Sequence, residues 1–334
     1  MADNHLRNKP GRFSERFVRL QCLVKATRKG NLTEVRELVQ AGVSVNCTAG
    51  GVTAIHVAAA HDHVDCAEFL LKNKGNVNQT IADLITPLHV AVRFDSLACV
   101  VLFTSYGAEV NAVNKEGWSP LHMAARNGST KSAEILIHHG AEIEAFIKPR
   151  NAQADQLYPV HFAARHGHAE CIEMLLKHGA KVNRQTGKSL MTALHLAVQH
   201  KHLACTNALL SYRASTEIAD YNGNLPLHIA CKGGDHGAIE LLLQAGTKTD
   251  YFNIAGKRPY DLLNQPDAKA MLQRLSRYPK TLAFMCVQVI RASLHMEGCP
   301  KSLRQLSDEL PVPTSVKSAL SLNSVVQIVK PPCE

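Results

Sequence analysis

The stretch SPLHMAA, residues 119–125, decides the fold, because the chain writes it six times with small variations. The other versions are TAIHVAAA (53–60), TPLHVAV (86–92), YPVHFAA (158–164), TALHLAV (192–198) and LPLHIAC (225–231). Their histidines, His56, His89, His122, His161, His195 and His228, follow one another at intervals of 33, 33, 39, 34 and 33 residues. The Thr/Ser-Pro opening, as in TPLHVAV and SPLHMAA, suits the first turn of a helix, where the missing proline N–H would have had no partner anyway. The alanines that follow let such a helix approach its neighbour closely. A turn such as NGS (127–129) or HGH (166–168) comes next, then a second helix. CIEMLLKHGA (171–180) is typical, with apolar residues on one helical face and a glycine suited to a left-handed cap. Self-similarity at this period implies stacked units whose stability is shared between neighbours.

The phrase T-P-L-H-x-A at this period resembles the ankyrin repeat, and the resemblance implies an all-α solenoid of helix pairs joined by hairpin loops such as AEVNAVNKEGW (108–118). The outermost copies are degenerate. LVKATRKGNLTEVRELVQAG (23–42) has the repeat's shape with Val24 in the histidine slot, and KRPYDLLNQPDAKAMLQRLSR (257–277) places Asp261 there. The expected organisation is an N-terminal arm over 1–18, about seven repeats with a degenerate cap over 19–277, a separate module over 278–322 and a tail over 323–334.

Composition bounds the partners. The chain has 334 residues, 46% of them hydrophobic, which is ample for a buried core. Its 37 basic and 28 acidic side chains give a formal charge of +9, favouring an acidic partner surface. The start, MADNHLRNKPGRFSERF, lacks the apolar centre of a secretory signal, and no apolar run approaches the roughly 20 residues of a membrane span. The expectation is a soluble cytoplasmic protein, with nuclear access left open, whose ten cysteines are thiols.

Recurring histidines and cysteines invite a metal site. Cys66, Cys99, Cys171 and Cys205 each lie ten residues after their repeat's histidine. They therefore fill one slot in different repeats, about 8–10 Å apart in stacked helices, too far to share an ion with sulfur ligands at about 2.3 Å. They read as small buried thiols, and the six histidines as hydrogen-bonding partners of neighbouring loops. His61/His63, His166/His168 and His200/His202 fall at the turns between helices and read as turn residues. No metal and no cofactor is expected. The chain also lacks the phosphate-binding G-x-x-x-x-G-K-[ST] loop, the G-x-S-x-G nucleophile turn and the H-E-x-x-H zinc motif, so no catalytic residue is assigned.

Repeat registration yields two surface stripes, which the ankyrin resemblance places on a concave groove. Four residues before each histidine, on the hairpin, stand Val52, Ile85, Trp118, Leu157, Met191 and Asn224. Four residues after it, on the first helix, stand Ala60, Arg93, Arg126, Arg165, Gln199 and Lys232. An apolar row beside a basic row suits a target segment with apolar anchors and acidic groups, and buried aromatic and arginine contacts commonly dominate such binding. A competing reading has the hairpin groups packing on one another. The long interval between His122 and His161 adds six residues around EAFIKPRNAQADQLYP, making Lys148 and Arg150 further candidates. Asn46, Asn78, Asn111 and Asn183 recur in the hairpins; by resemblance to hydroxylated ankyrin repeats Asn111 is a candidate for asparaginyl hydroxylation, beside a structural role in the turn.

After Arg277 the rhythm changes. TLAFMCVQVIRASL (281–294) sets Leu282, Cys286, Val289 and Ile290 at helical spacing, and SLRQLSDELPVPTSVKSAL (302–320) follows with Pro311 and Pro313 stiffening a turn between two short helical patterns. These residues resemble a SOCS box. Residues 281–290 match an elongin-binding box of form [Ser/Thr/Pro]-Leu-x-x-x-Cys-x-x-x-apolar, and Leu310-Pro311-Val312-Pro313 matches the Leu-Pro-apolar-Pro of a cullin box. The chain is thereby identified as resembling the ankyrin repeat and SOCS box family. That resemblance implies a small three-helix module after the solenoid, with Leu282, Cys286, Val289 and Ile290 meeting Elongin B/C and Leu310 to Pro313 selecting a Cullin-5-type scaffold with its RING partner. It implies a non-catalytic substrate receptor of a ubiquitin ligase. The segment HMEGCPKSLRQL and the ending VKSALSL depart from the usual module. Two other readings compete: a stand-alone ankyrin scaffold whose tail caps the solenoid, burying Leu282 and Cys286 against 257–277, and nucleic-acid binding, for which only the net charge speaks.

Overall fold

The computed structural model describes residues 11–147 and 155–263. Their fourteen α-helices form seven consecutive pairs: α1 (Gly11–Arg28) with α2 (Leu32–Gln40), α3 (Ala54–Ala60) with α4 (Val64–Lys72), α5 (Pro87–Arg93) with α6 (Leu97–Ser105), and α7 (Pro120–Asn127) with α8 (Thr130–His138). After the interval come α9 (Pro159–His166) with α10 (Ala169–Lys177), α11 (Ala193–Gln199) with α12 (Leu203–Ser211), and α13 (Pro226–Gly233) with α14 (His236–Gln244). First helices stack on first helices and second on second, and a 3-10 turn over Pro259–Leu262 closes against α13. Among the described residues no strand forms, and the hairpins carry only the isolated bridges Ala49 to Val52 and Gln185 to Thr192. Helix α1 begins at Gly11, so the expected limit of the arm at residue 18 falls inside a helix. The segment 278–334, which holds every elongin- and cullin-box residue, lies outside the described residues.

The histidine phrase works as a latch. In α5, Thr86 caps the helix: its hydroxyl accepts from the His89 backbone N–H at 3.3 Å, while His89 Nδ1 accepts from the Thr86 N–H at 3.3 Å. The far side of the ring donates Nε2–H to the Trp118 carbonyl of the next hairpin at 3.0 Å. Every other copy does the same: His56 reaches Ile85 O, His122 Ala145 O, His161 Arg184 O, His195 Asn224 O and His228 Lys257 O, at 2.9–3.2 Å. One side chain thus closes a helix N-terminus and ties one repeat to the next. The network demands the neutral ring with its proton on Nε2. Burial accordingly lowers the pKa of His56, His122, His161 and His195 from 6.5 to about 4, the carbonyl acceptors offsetting part of the effect. At the C-terminal edge Asp261 copies half of this device, its Oδ2 accepting from the Arg258 N–H at 2.9 Å.

Between the helix layers, size does the sorting. Ala58, Ala91, Ala124, Ala163, Ala197 and Ala230 sit two residues after each histidine with no exposed surface, which lets the first helices pack at close range. On the second helices Leu70, Phe103, Leu136, Leu175, Leu209 and Leu242 form a buried row fourteen residues after the histidines. Cys66, Cys99, Cys171 and Cys205 fill the small slot beside it, shared with Ser132 and Ala238, and all six are buried. Burial pushes the Cys171 thiol up to about 12 and that of Cys205 to about 11, leaving them inert packing groups.

The turn histidines need space that only glycine leaves. His63, His168 and His202 donate Nε2–H to the carbonyls of Arg28, Arg126 and Arg165 in the preceding repeat, at 2.9–3.1 Å. Gly167 has φ +86°, and a Cβ there would lie 2.8 Å from His202 Nδ1; Gly128 abuts His168 in the same way.

Candidate partner-binding face

The two stripes meet across the hairpins and first helices. Arg126, on the last turn of α7, holds its guanidinium carbon 5.1 Å from the centre of the Trp118 ring, so the basic and apolar rows face the same side. The Trp118 ring also meets Phe162 of α9, ring centres 4.7 Å apart and planes tilted by 48°. Its backbone is fixed as well: Asn114 Oδ1 accepts from the N–H groups of Glu116 and Trp118 at 2.9 Å, making a tight turn. Trp118 is therefore a half-buried, preoriented aromatic. Ile85, Leu157 and Met191 are likewise half-buried, and Leu157 and Met191 lean on the main core.

The basic row stands outward. Arg93, Arg126, Arg165 and Lys232 are exposed on successive first helices, with Gln199 completing the series. Their field is registered by neighbours: the pKa of His166 is lowered by burial and then by Arg126, Arg165 and the adjacent histidines, and that of His200 by burial, Arg165 and His202. Neither Arg126 nor Arg165 forms a salt bridge among the described residues. A carboxylate or phosphate approaching between them would meet two guanidinium groups that no described carboxylate pairs with.

At the hairpin tips, neighbouring repeats are riveted together. Lys115 N–H donates to Asp83 O at 2.8 Å and Lys115 Nζ lies 3.0 Å from Asp83 Oδ1, while the Tyr221 N–H reaches Ser189 O and the Ile254 N–H reaches Asn222 O. The asparagines form a ladder one layer below. Asn111 Nδ2 donates to Gly140 O at 3.0 Å and its Oδ1 accepts from the Glu142 N–H at 2.8 Å, an arrangement repeated by Asn46 with Lys74 and Asn76 and by Asn78 with Gly107 and Glu109. Asn183 Oδ1 accepts from the Ser215 N–H. The amide of Asn111 is thus committed at both ends to holding the fourth repeat to the third.

Sequence reading missed the site at the foot of the long interval. Glu144 stands 33 residues after Asn111, in the ladder slot, and binds the Lys181 N–H at 2.9 Å and the Arg184 guanidinium at 2.6–2.7 Å. Arg184 in turn lies 4.8 Å over the Tyr158 ring. On the other foot, Asp155 accepts from the Lys188 N–H at 2.7 Å, the Ser189 N–H at 3.4 Å and the Ser189 hydroxyl. Burial pushes its carboxyl up, but those hydrogen bonds outweigh it and hold the pKa below the usual carboxylate value. The 33-residue count alone could have flagged Glu144. Lys148 and Arg150, between the two feet, lie outside the described residues.

Comparison with known proteins agrees with this geometry. A family profile described as ankyrin repeats matches residues 3–83, 76–147 and 161–253. Ankyrin repeat and SOCS box protein 11 of Danio rerio is 36% identical over 77 residues, a match covering 23% of this chain and 26% of that protein. The crystal structure of the human ASB11 ankyrin repeat domain superposes with a TM-score of 0.60 at 27% identity, covering 68% of this chain and 100% of that one. The ankyrin repeat domain of Bcl-3 gives a TM-score of 0.59 at 23% identity, over 67% of this chain and 99% of its own, and so shares the fold. Six histidine latches, seven stacked helix pairs and a family match over most of the chain lead to one statement: the protein belongs to the ankyrin repeat family.

Proposed function

We propose that the chain is the substrate-recognition subunit of an Elongin BC–Cullin-5-type E3 ubiquitin ligase. The ankyrin face captures a target through its basic row and its hairpin aromatics, and the segment after the solenoid recruits the ligase. The observation that carries this reading is the order of motifs: an elongin-type box at 281–290 and Leu-Pro-Val-Pro at 310–313 directly follow an ankyrin array. Similarity to ankyrin repeat and SOCS box protein 11 supports it. In this reading Leu282, Cys286, Val289 and Ile290 contact Elongin C as a helix in a groove, Leu310 to Pro313 contact the cullin, and the transfer chemistry belongs to the recruited subunits. The target offers an apolar-anchored acidic segment, and the complex works in the cytoplasm. No described helix is long and apolar enough to cross a membrane.

The test is co-expression of the full chain with Elongin B and C followed by size-exclusion chromatography, beside a Leu282→Asp, Cys286→Asp variant. Co-elution of the native chain, lost in a variant that keeps its helical circular dichroism, is expected. Absence of any complex with the native chain would overturn the ligase role and leave the stand-alone ankyrin scaffold.

A further inference from the structure

The second-helix layer carries a side-chain cluster that neither the fold nor the partner-binding face uses. Glu134 and His138 lie one turn apart on α8, so they share a helical face. His178 caps α10, which stacks on α8 from the fifth repeat. The rings of His138 and His178 meet edge to face with centres 5.7 Å apart, and one donor atom from each of the three residues falls within 4.8 Å of the others.

The chemistry of the cluster is that of a ligand set. His178 Nδ1 donates to the Met174 carbonyl at 2.9 Å, which fixes the proton there and leaves the Nε2 lone pair free, the backing found behind metal-bound imidazoles. Glu134 makes no ion pair among the described residues. The equivalent slots two repeats earlier show the ordinary solution. There Glu68 and Lys72 pair at 2.8 Å beside Tyr106, which occupies the slot of His178. Exchanging Lys72 for a histidine and Tyr106 for another turns an ion pair into two imidazoles and a carboxylate. By contrast, His63, His168 and His202 spend Nε2 on backbone carbonyls, and the six latch histidines are buried with both nitrogens engaged.

We propose that Glu134, His138 and His178 bind a zinc ion that staples the fourth repeat to the fifth. Tetrahedral zinc with ligands at about 2.0–2.2 Å needs donors about 3.4 Å apart; rotations of the two exposed side chains, Glu134 and His138, toward the fixed His178 ring are what must close the gap. The donor set of two imidazoles and a carboxylate suits zinc over calcium or magnesium. A fourth position stays open for water or for a donor from a partner. The staple spans the junction whose hairpin side carries the six-residue enlargement and where Glu144 replaces the asparagine of the ladder. It would fix the angle between the two halves of the solenoid at that junction.

Full-length chain stripped with a chelator and kept reduced is titrated with Zn²⁺ by calorimetry and with Co²⁺ by visible spectroscopy, beside His138→Ala, His178→Ala and the double variant. Neither ring belongs to the buried core, so all three variants are expected to keep the native circular dichroism. One equivalent of Zn²⁺ beyond that taken by the double variant is expected, with affinity at least about tenfold weaker in each single variant. Zn²⁺ should raise the melting temperature of the native chain but not of the double variant. Equal stoichiometry and affinity in the native chain and the double variant, or cobalt spectra showing only thiolate ligation in both, would overturn the proposal.

Discussion

Acid should dismantle this solenoid through its latch histidines, and the size of the effect follows from their burial. His56, His122, His161 and His195 each have a native pKa of about 4 against an ordinary value of 6.5. Because the folded value lies below the unfolded one, stability is complete above pH 6.5 and drains away as the pH falls towards 4. Protonation would also place a new N–H on Nδ1, facing the N–H of the capping residue, where the native structure needs an acceptor. Each pH unit below 6.5 costs about 1.4 kcal/mol per ring, so each contributes about 2 kcal/mol of lost stability at pH 5. Four rings then amount to about 8 kcal/mol, comparable to the entire stability of an ordinary domain. His89 and His228, whose pKa values burial also lowers, act in the same direction. Urea unfolding followed by circular dichroism at pH 7.5, 6.0 and 5.0, in about 0.5 M salt to screen general charge repulsion, measures the loss. A midpoint that barely moves between pH 7.5 and 5.0, or imidazole resonances of His122 and His195 titrating near 6.5 in the folded chain, would refute the reasoning.

Neutralising the basic row with Arg126→Gln and Arg165→Gln should raise the pKa of His166, because both guanidinium groups hold it down; the shift is read by NMR titration, and an unmoved resonance would show that the row exerts no such field. The same double change should weaken binding of an acidic target peptide without altering the melting temperature. Gly128→Ala should cost about 1–2 kcal/mol for its left-handed backbone and more for the displaced His168 ring. Gly140→Ala, at φ +87° with nothing within 4 Å, should cost only the first part, and equal losses in urea denaturation would deny the steric role of the turn histidine. Native-state alkylation mapped by mass spectrometry should modify half-buried Cys22 and Cys47 well before Cys171, Cys205 or Cys231, whose thiols burial pushes up to about 11–12; labelling at equal rates would contradict the packing described for the second helices.

The sequence determined by itself whatever repeats. A histidine recurring every 33 residues or slightly more, with proline at most of the helix starts and an alanine two residues after each histidine, fixes helix pairs, their stacking and the two surface rows, because each repeat solves the same local problem with similar residues. The asparagines and cysteines were likewise placed in equivalent slots by counting. Only the tertiary structure decided what lies across repeats. It showed that each latch histidine carries two bonds to two repeats, and that Trp118 touches both Arg126 and Phe162. It brought Glu144 to Arg184 and Glu134 and His138 to His178, pairs about 40 residues apart. The physical reason is that periodicity reports the environment common to all copies, whereas these contacts arise where one copy departs from its neighbours, and a departure acquires meaning only when the stacking brings its partner alongside.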